Sequence, residues 1–123
     1  MAKRLLIVDD NQEIVSLVRT VFVEKGWQVD AAVTGEAAMG QAMRAVPDVV
    51  IMDRNLPDGD GAEFCRLIKC DPPLFNVPVL MVSGFMPAPE EQAQGLAAGA
   101  AGYLLKPFAL ADLASRVESL LPA

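Results

Sequence analysis

Five short apolar runs punctuate this chain, and four of them stop at a charged or hydroxyl-bearing side chain. Leu5–Val8 stops at Asp9-Asp10, Val49–Met52 at Asp53, Val77–Val82 at Ser83-Gly84, and Tyr103–Leu105 at Lys106-Pro107. Runs this short and this apolar suit strands buried on both faces of a sheet. Pro78 lies near the start of its run, where a proline is tolerated. The remaining run, Trp27–Val33, alternates Trp27, Val29, Ala31 and Val33, the pattern of a less buried edge strand.

Helical patterns fill the intervals. Gln12–Lys25 carries Ile14, Val15, Val18, Val21 and Phe22 on one stripe and closes at Gly26. Gly35–Ala45 follows Thr34, a good N-cap. Gly61–Lys69 follows Asp60, which with Glu63 has the spacing of a capping box. Pro89–Ala98 opens with proline in its first turn and carries Gly95, which weakens a helix by roughly 1 kcal/mol relative to alanine. Leu110–Leu121 is stopped by Pro122. Strict strand–helix alternation predicts an α/β fold, a parallel sheet with helices on both faces. A hydrophobic share of 53% over 123 residues fits one such domain, residues 1–123.

In an open parallel sheet the chemistry gathers outside the carboxyl ends of the strands. Those ends are Asp9, Asp10, Asp53, Ser83 and Lys106. Two carboxylates about 4 Å apart repel by about 4 kcal/mol at an effective dielectric of about 20, so such a rim calls for a hard divalent cation. There is no histidine in the chain. Oxygen-only ligands point to Mg²⁺, with Mn²⁺ able to substitute, rather than zinc. A metal, an ammonium and a hydroxyl are what phosphoryl oxygens need around them, and a carboxylate can itself be the nucleophile.

The segments LLIVDD, VVIMDRNLPDGDG, VLMVSG and AAGYLLKPF, in this order, resemble the receiver domains of two-component response regulators, the CheY-like superfamily. The resemblance covers nearly the whole chain. It implies a flavodoxin-like (βα)5 doubly wound fold, a five-stranded parallel sheet in the order 2-1-3-4-5 with five helices. It makes Asp53 the phosphoacceptor, Asp10 the direct metal ligand and Asp9 a ligand acting largely through water. Asn55 would offer its backbone carbonyl to the metal. Ser83 becomes the switch hydroxyl, Lys106 the phosphate-pairing lysine and Tyr103 the aromatic that turns on activation. The Lys106–Pro107 bond is expected cis, with Pro107 part of the switch loop. Serine at position 83 stands where threonine is more frequent. Arg54 and Phe85 flank the phosphate mouth and bear on water access.

The expected function is a phosphorylation-dependent signalling switch, not a conventional enzyme, that accepts a phosphoryl group from a sensor histidine kinase or a His-phosphotransfer protein. Its output is expected on the face of the fourth helix, fifth strand and fifth helix, through a partner, an output domain or a phosphorylation-dependent homodimer. The chain fits either a free-standing regulator or a part of a larger regulator or hybrid kinase. Two other readings compete. A phosphorylation-independent interaction module would have no use for the intact Asp9, Asp10, Asp53, Ser83, Lys106 set. An aspartyl-phosphate phosphatase would place a second acid two residues after its nucleophile, where this chain has Asn55. Asp58–Gly61 lacks the further acidic residues of a calcium loop and reads as a turn and helix cap.

Net charge is −6, which argues against nucleic-acid binding by this domain alone. No window approaches a membrane span and no signal peptide is legible, so a cytoplasmic protein is expected. Cys65 and Cys70, five apart on one predicted helix, read as plain thiols.

Overall fold

The computed structural model describes residues 2–84 and 89–121. In chain order the elements are β1 (Arg4–Val8), α1 (Gln12–Glu24), β2 (Gln28–Ala32), α2 (Gly35–Arg44), β3 (Val49–Asp53), β4 (Asn55–Leu56), β5 (Gly59–Asp60), α3 (Gly61–Cys70), β6 (Val79–Ser83), α4 (Pro89–Ala97), β7 (Gly102–Leu105) and α5 (Leu110–Ser119). Every expected strand and helix forms, with ends within one or two residues of the pattern. The main sheet is parallel in the order β2-β1-β3-β6-β7. Counting its own five strands, that is 2-1-3-4-5. β4 and β5 form a separate two-residue antiparallel ribbon, where the sequence predicts a turn and helix cap.

The sheet separates two apolar cores. Leu6, Val8, Val50, Met52, Val79 and Met81 point to one side, under Ala38, Ala42, Cys65, Ile68 and Ala98 of α2, α3 and the end of α4. Leu5, Ile7, Val49, Ile51, Leu80 and Val82 point to the other, under Val15, Val18 and Phe22 of α1 and Leu113, Ala114 and Val117 of α5. The alternation of neighbours along β1, β3 and β6 follows from the two-residue period of a strand. Each fully buried Leu, Ile or Val contributes about 1.5–3 kcal/mol, so the central strands anchor the fold. Both edge strands are less buried than the three central ones: β2, as its alternating pattern predicts, and also β7, whose apolar run suggested burial on both faces.

Helix starts explain how the strand ends are held. Thr34 Oγ1 accepts from the Ala37 N–H at 3.1 Å, and Asp58 reaches over from the β4–β5 turn to accept from Gly35 and Glu36 at 2.9 and 3.0 Å. Asp60 caps α3 through the Ala62 N–H at 2.9 Å. The Glu63 carboxylate turns away from the capping box and pairs with Arg66 at 2.8 Å, one turn along the exposed face. Gly26 takes φ +88° behind α1, the left-handed conformation that glycine adopts without a Cβ penalty. Phe85 and Pro122 lie outside the described residues. Cys65 is buried, Cys70 is exposed, and both are free thiols. Among the described residues no helix is long and apolar enough to cross a membrane.

Candidate functional site

Two adjacent acids at a helix start could simply cap it, but here Asn11 does that work. Its Oδ1 accepts from the Glu13 and Ile14 N–H groups at 3.0 and 3.2 Å. Asp9 continues the β1 ladder through its N–H to the Ala32 carbonyl at 3.0 Å, and its Oδ1 accepts from the Asn11 N–H at 2.9 Å. Its second oxygen faces the sheet end. Asp53 closes the central strand β3, opposite Val82 of β6. Lys106 directly follows β7, its N–H bonded to the Ser83 carbonyl at 2.7 Å. The Lys106–Pro107 bond is cis, as the resemblance implies.

These elements bring the ionisable groups to one point. Lys106 Nζ donates to Asp9 Oδ2 at 3.0 Å and to Asp53 Oδ2 at 3.3 Å. Asp9, Asp53 and Ser83 are buried, while Asp10 is exposed at the rim. Oxygen atoms of Asp9, Asp10 and Asp53 lie within 4.8 Å of one another. Asn55, two residues after Asp53, donates its N–H to Asp53 Oδ1 at 3.3 Å.

Burial holds the Asp53 carboxyl above its ordinary value, and the Asp9 charge adds to the rise. Lys106 and the Asn55 N–H pull the other way without cancelling it. Burial also works against the Lys106 ammonium, but its hydrogen bond to Asp9 and the two carboxylate charges outweigh that and raise it. The rim is therefore short of positive charge, since three carboxylates share one ammonium. A divalent cation would balance the remaining two charges. Donors that are all oxygen suit Mg²⁺ or Mn²⁺.

Tyr103 sits apart from this cluster. Its side chain packs with the α2/α3/α4 core, and a Cβ on Gly95 would lie 2.7 Å from its ring. Gly95 is thus not merely a weak point in α4: the missing side chain is the room the ring occupies. The sequence places Arg54 only beside the phosphate mouth. It is 7% exposed and forks onto Asp60 with Nε–Oδ1 2.8 Å and Nη2–Oδ2 3.1 Å. The strand alternation puts Arg54 on the α3/α4 side with Val50 and Met52. Its partner could not be read, because Asp60 reaches it through the unanticipated ribbon. A further feature, an apolar groove of about 320 Å³, opens beside Lys106 between Ile14 and Leu17 of α1 and Pro107, Phe108 and Leu110.

Comparison with known proteins gives a consistent answer. The family model described as the response regulator receiver domain matches residues 5–118. The response regulator PleD of Caulobacter vibrioides is 33% identical over 98% of this chain, and the match covers 26% of PleD. The phosphate regulon transcriptional regulatory protein PhoB of Escherichia coli is 31% identical over 98% of this chain and 52% of its own length. The chain thus spans from a quarter to a half of these relatives. Among solved structures, the chemotaxis response regulator CheY4 of Vibrio cholerae superposes with a TM-score of 0.91 at 31% identity, covering 98% of this chain and 100% of that one. A receiver domain of a signal transduction histidine kinase from Syntrophus aciditrophicus gives 0.88 at 30% identity, covering 98% and 90%.

Proposed function

We propose that this chain, which belongs to the response regulator receiver domain family, works as a phosphorylation-dependent signalling switch with Asp53 as its acceptor. One observation carries the assignment: a single lysine bridges two buried carboxylates at the carboxyl end of the sheet, one of them on the central strand. A fold gains little from burying two acids on one cation. A site that receives phosphate gains from it, because the same lysine can then pair with a phosphoryl oxygen.

In the proposed reaction an Asp53 carboxylate oxygen attacks the phosphorus of a phosphohistidine. The P–N bond to the imidazole breaks as the P–O bond forms, and the imidazole nitrogen leaves with the electron pair. Lys106 pairs with a phosphoryl oxygen and Ser83 donates its hydroxyl to another, each as a charge-assisted hydrogen bond. Asp10, Asp53 and the Asn55 carbonyl would hold Mg²⁺, with Asp9 acting through water. When bound, the ion offsets the negative charge that carboxylates and phosphate bring together. The donor would be a sensor histidine kinase or a His-phosphotransfer protein. Docking an apolar helix of that donor in the groove at Ile14, Leu17 and Phe108 would bring its phosphohistidine beside Lys106.

The output belongs to the face of α4, β7 and α5. Tyr103 lies beneath it, and Leu96 and Leu105 stand exposed on α4 and at the end of β7. Partner binding or phosphorylation-dependent self-association would use this face, in the cytoplasm, with Ser83, Tyr103 and Pro107 shifting between two populated states. Hydrogen exchange with and without beryllofluoride, a mimic of the acyl phosphate, tests it. Changes across Ser83–Lys106 support the reading. Changes confined to α2 and α3 contradict it.

A further inference from the structure

Arg54 follows the acceptor directly, yet its side chain leaves the phosphate site. Asp53 continues the row of Val49 and Ile51, toward α1 and α5, and Arg54 continues the row of Val50 and Met52, toward α3 and α4. There the guanidinium meets three elements at once. It forks onto Asp60 at the start of α3, Nη2 donates to Gln94 Oε1 of α4 at 3.1 Å, and Nη1 makes a longer contact of 3.4 Å to the Tyr103 hydroxyl. β6 lies between β3 and β7, so the Tyr103 side chain crosses it to reach Arg54.

The clasp matters because, among the described residues, the apolar contacts that seat α4 are small. Its apolar hold on the sheet, as far as described, comes from Gly95 and, just past its end, Ala98, whereas α1 inserts Val15, Val18 and Phe22. Burial stabilises in proportion to the apolar area covered, and glycine and alanine cover very little. Polar links therefore carry an unusual share of the seating of α4. The backbone of Arg54 is fixed as well: its N–H donates to the Val82 carbonyl and its carbonyl accepts from Gly61, both at 2.8 Å. The Arg54 backbone is thus tied to the end of β3 and to Val82, the neighbour of Ser83.

We propose that Arg54 is a positioning residue that sets the orientation of Tyr103 and the seating of α4, and that a change at Asp53 reaches the α4/β7 face through it. The proposal rests on the reading of Asp53 as the acceptor. Two neighbouring residues thus divide the labour, Asp53 facing the phosphate and Arg54 facing the output.

Tyr103 is the one tyrosine of the chain, so a ¹³C-tyrosine label reports on it alone. In the unphosphorylated protein, Arg54→Met is expected to move the Tyr103 ring resonances toward free-rotamer values and to raise amide exchange in α4 several-fold. Asp60→Asn keeps an N-cap oxygen but loses the charge that holds the fork, and should shift the ring in the same direction without touching Tyr103. Arg54→Lys, which keeps charge but not the fork, should fall between. Each variant should still take one phosphoryl group from acetyl phosphate with Mg²⁺, which shows the site intact. Unchanged ring signals in Arg54→Met, or a shift there that Asp60→Asn does not share, overturn the proposal. Wild type that takes no phosphoryl group overturns the acceptor assignment instead, because the ring signals are read without phosphate.

Discussion

Gly61 and Asp53 touch so closely that a Cβ on Gly61 would fall 2.1 Å from the Asp53 carbonyl oxygen. The obstruction is backbone, which cannot swing aside. Gly61→Ala must therefore push α3 away from the acceptor strand, and an overpacking cost of about 1–3 kcal/mol is expected. Chemical denaturation would show it as a lower midpoint at unchanged slope. Phosphorylation of Asp53 by acetyl phosphate should slow in the same variant. An alanine that left both quantities as in wild type would contradict the contact.

The Asp53 charge weakens the metal-free fold at neutral pH. Burial and Asp9 raise its carboxyl above the ordinary value, so the folded protein holds that proton more tightly than the unfolded chain. The resulting stability is present below the ordinary carboxylate value and is lost as pH rises through the raised one. Asp53→Asn should then melt higher than wild type at pH 7 without Mg²⁺, by roughly 4 °C for each kcal/mol relieved. The gain should fade in acid, where wild type is protonated too. A lower melting point for Asp53→Asn in metal-free neutral buffer would contradict the electrostatics.

Lys106 has the opposite sign. Its ammonium is raised despite burial, so its contribution is present through neutral pH and is lost only as pH climbs past the ordinary lysine value toward the raised one. Lys106→Met leaves the buried Asp9 and Asp53 without their shared cation, at a cost on the order of 2 kcal/mol, since the lysine itself is partly exposed. Mg²⁺ should recover part of that loss and should bind more tightly to the variant, because ion and lysine neutralise the same carboxylates. Melts of both proteins with and without millimolar Mg²⁺ decide it. Equal Mg²⁺ shifts in the two, or none in either, would contradict the shared-charge account.

The strand ends were legible because their apolar runs stop at the reactive residues. A run buried on both faces aims its next side chain at the rim whatever the loops do, which places Asp9, Asp53 and Ser83 together; Lys106 ends an edge strand that is only half-buried, so its run is the weaker signal. Asn11 could not be told from Asp9 and Asp10 as the α1 cap, since any of the three suits the role. Arg54 was hidden for another reason: its partners Asp60, Gln94 and Tyr103 meet only once the β4/β5 ribbon and the seat of α4 exist. The room that Gly95 leaves for the Tyr103 ring is hidden by the same logic, since helix propensity knows nothing of a ring crossing from β7.

Gly95 offers a direct contest between the two kinds of reasoning. Helix propensity alone expects Gly95→Ala to stabilise by about 1 kcal/mol. The packing expects the new methyl to meet the Tyr103 ring, at 2.7 Å from Cε2 in the present arrangement. The tyrosine should be displaced and the propensity gain should not appear. Tyrosine ring resonances together with a denaturation curve check this. A stabilised variant with unmoved Tyr103 signals would contradict the packing.

The central claim is that Asp53 accepts a phosphoryl group, and intact mass after incubation with acetyl phosphate and Mg²⁺ tests it most directly. Wild type should gain one phosphoryl group, and removing Mg²⁺ with a chelator should abolish the gain. Asp53→Asn should gain none under the same conditions, although it keeps Asp9, Asp10 and Lys106. If Asp53→Asn is labelled as fully as wild type, or wild type is never labelled, the assignment of Asp53 as acceptor is contradicted.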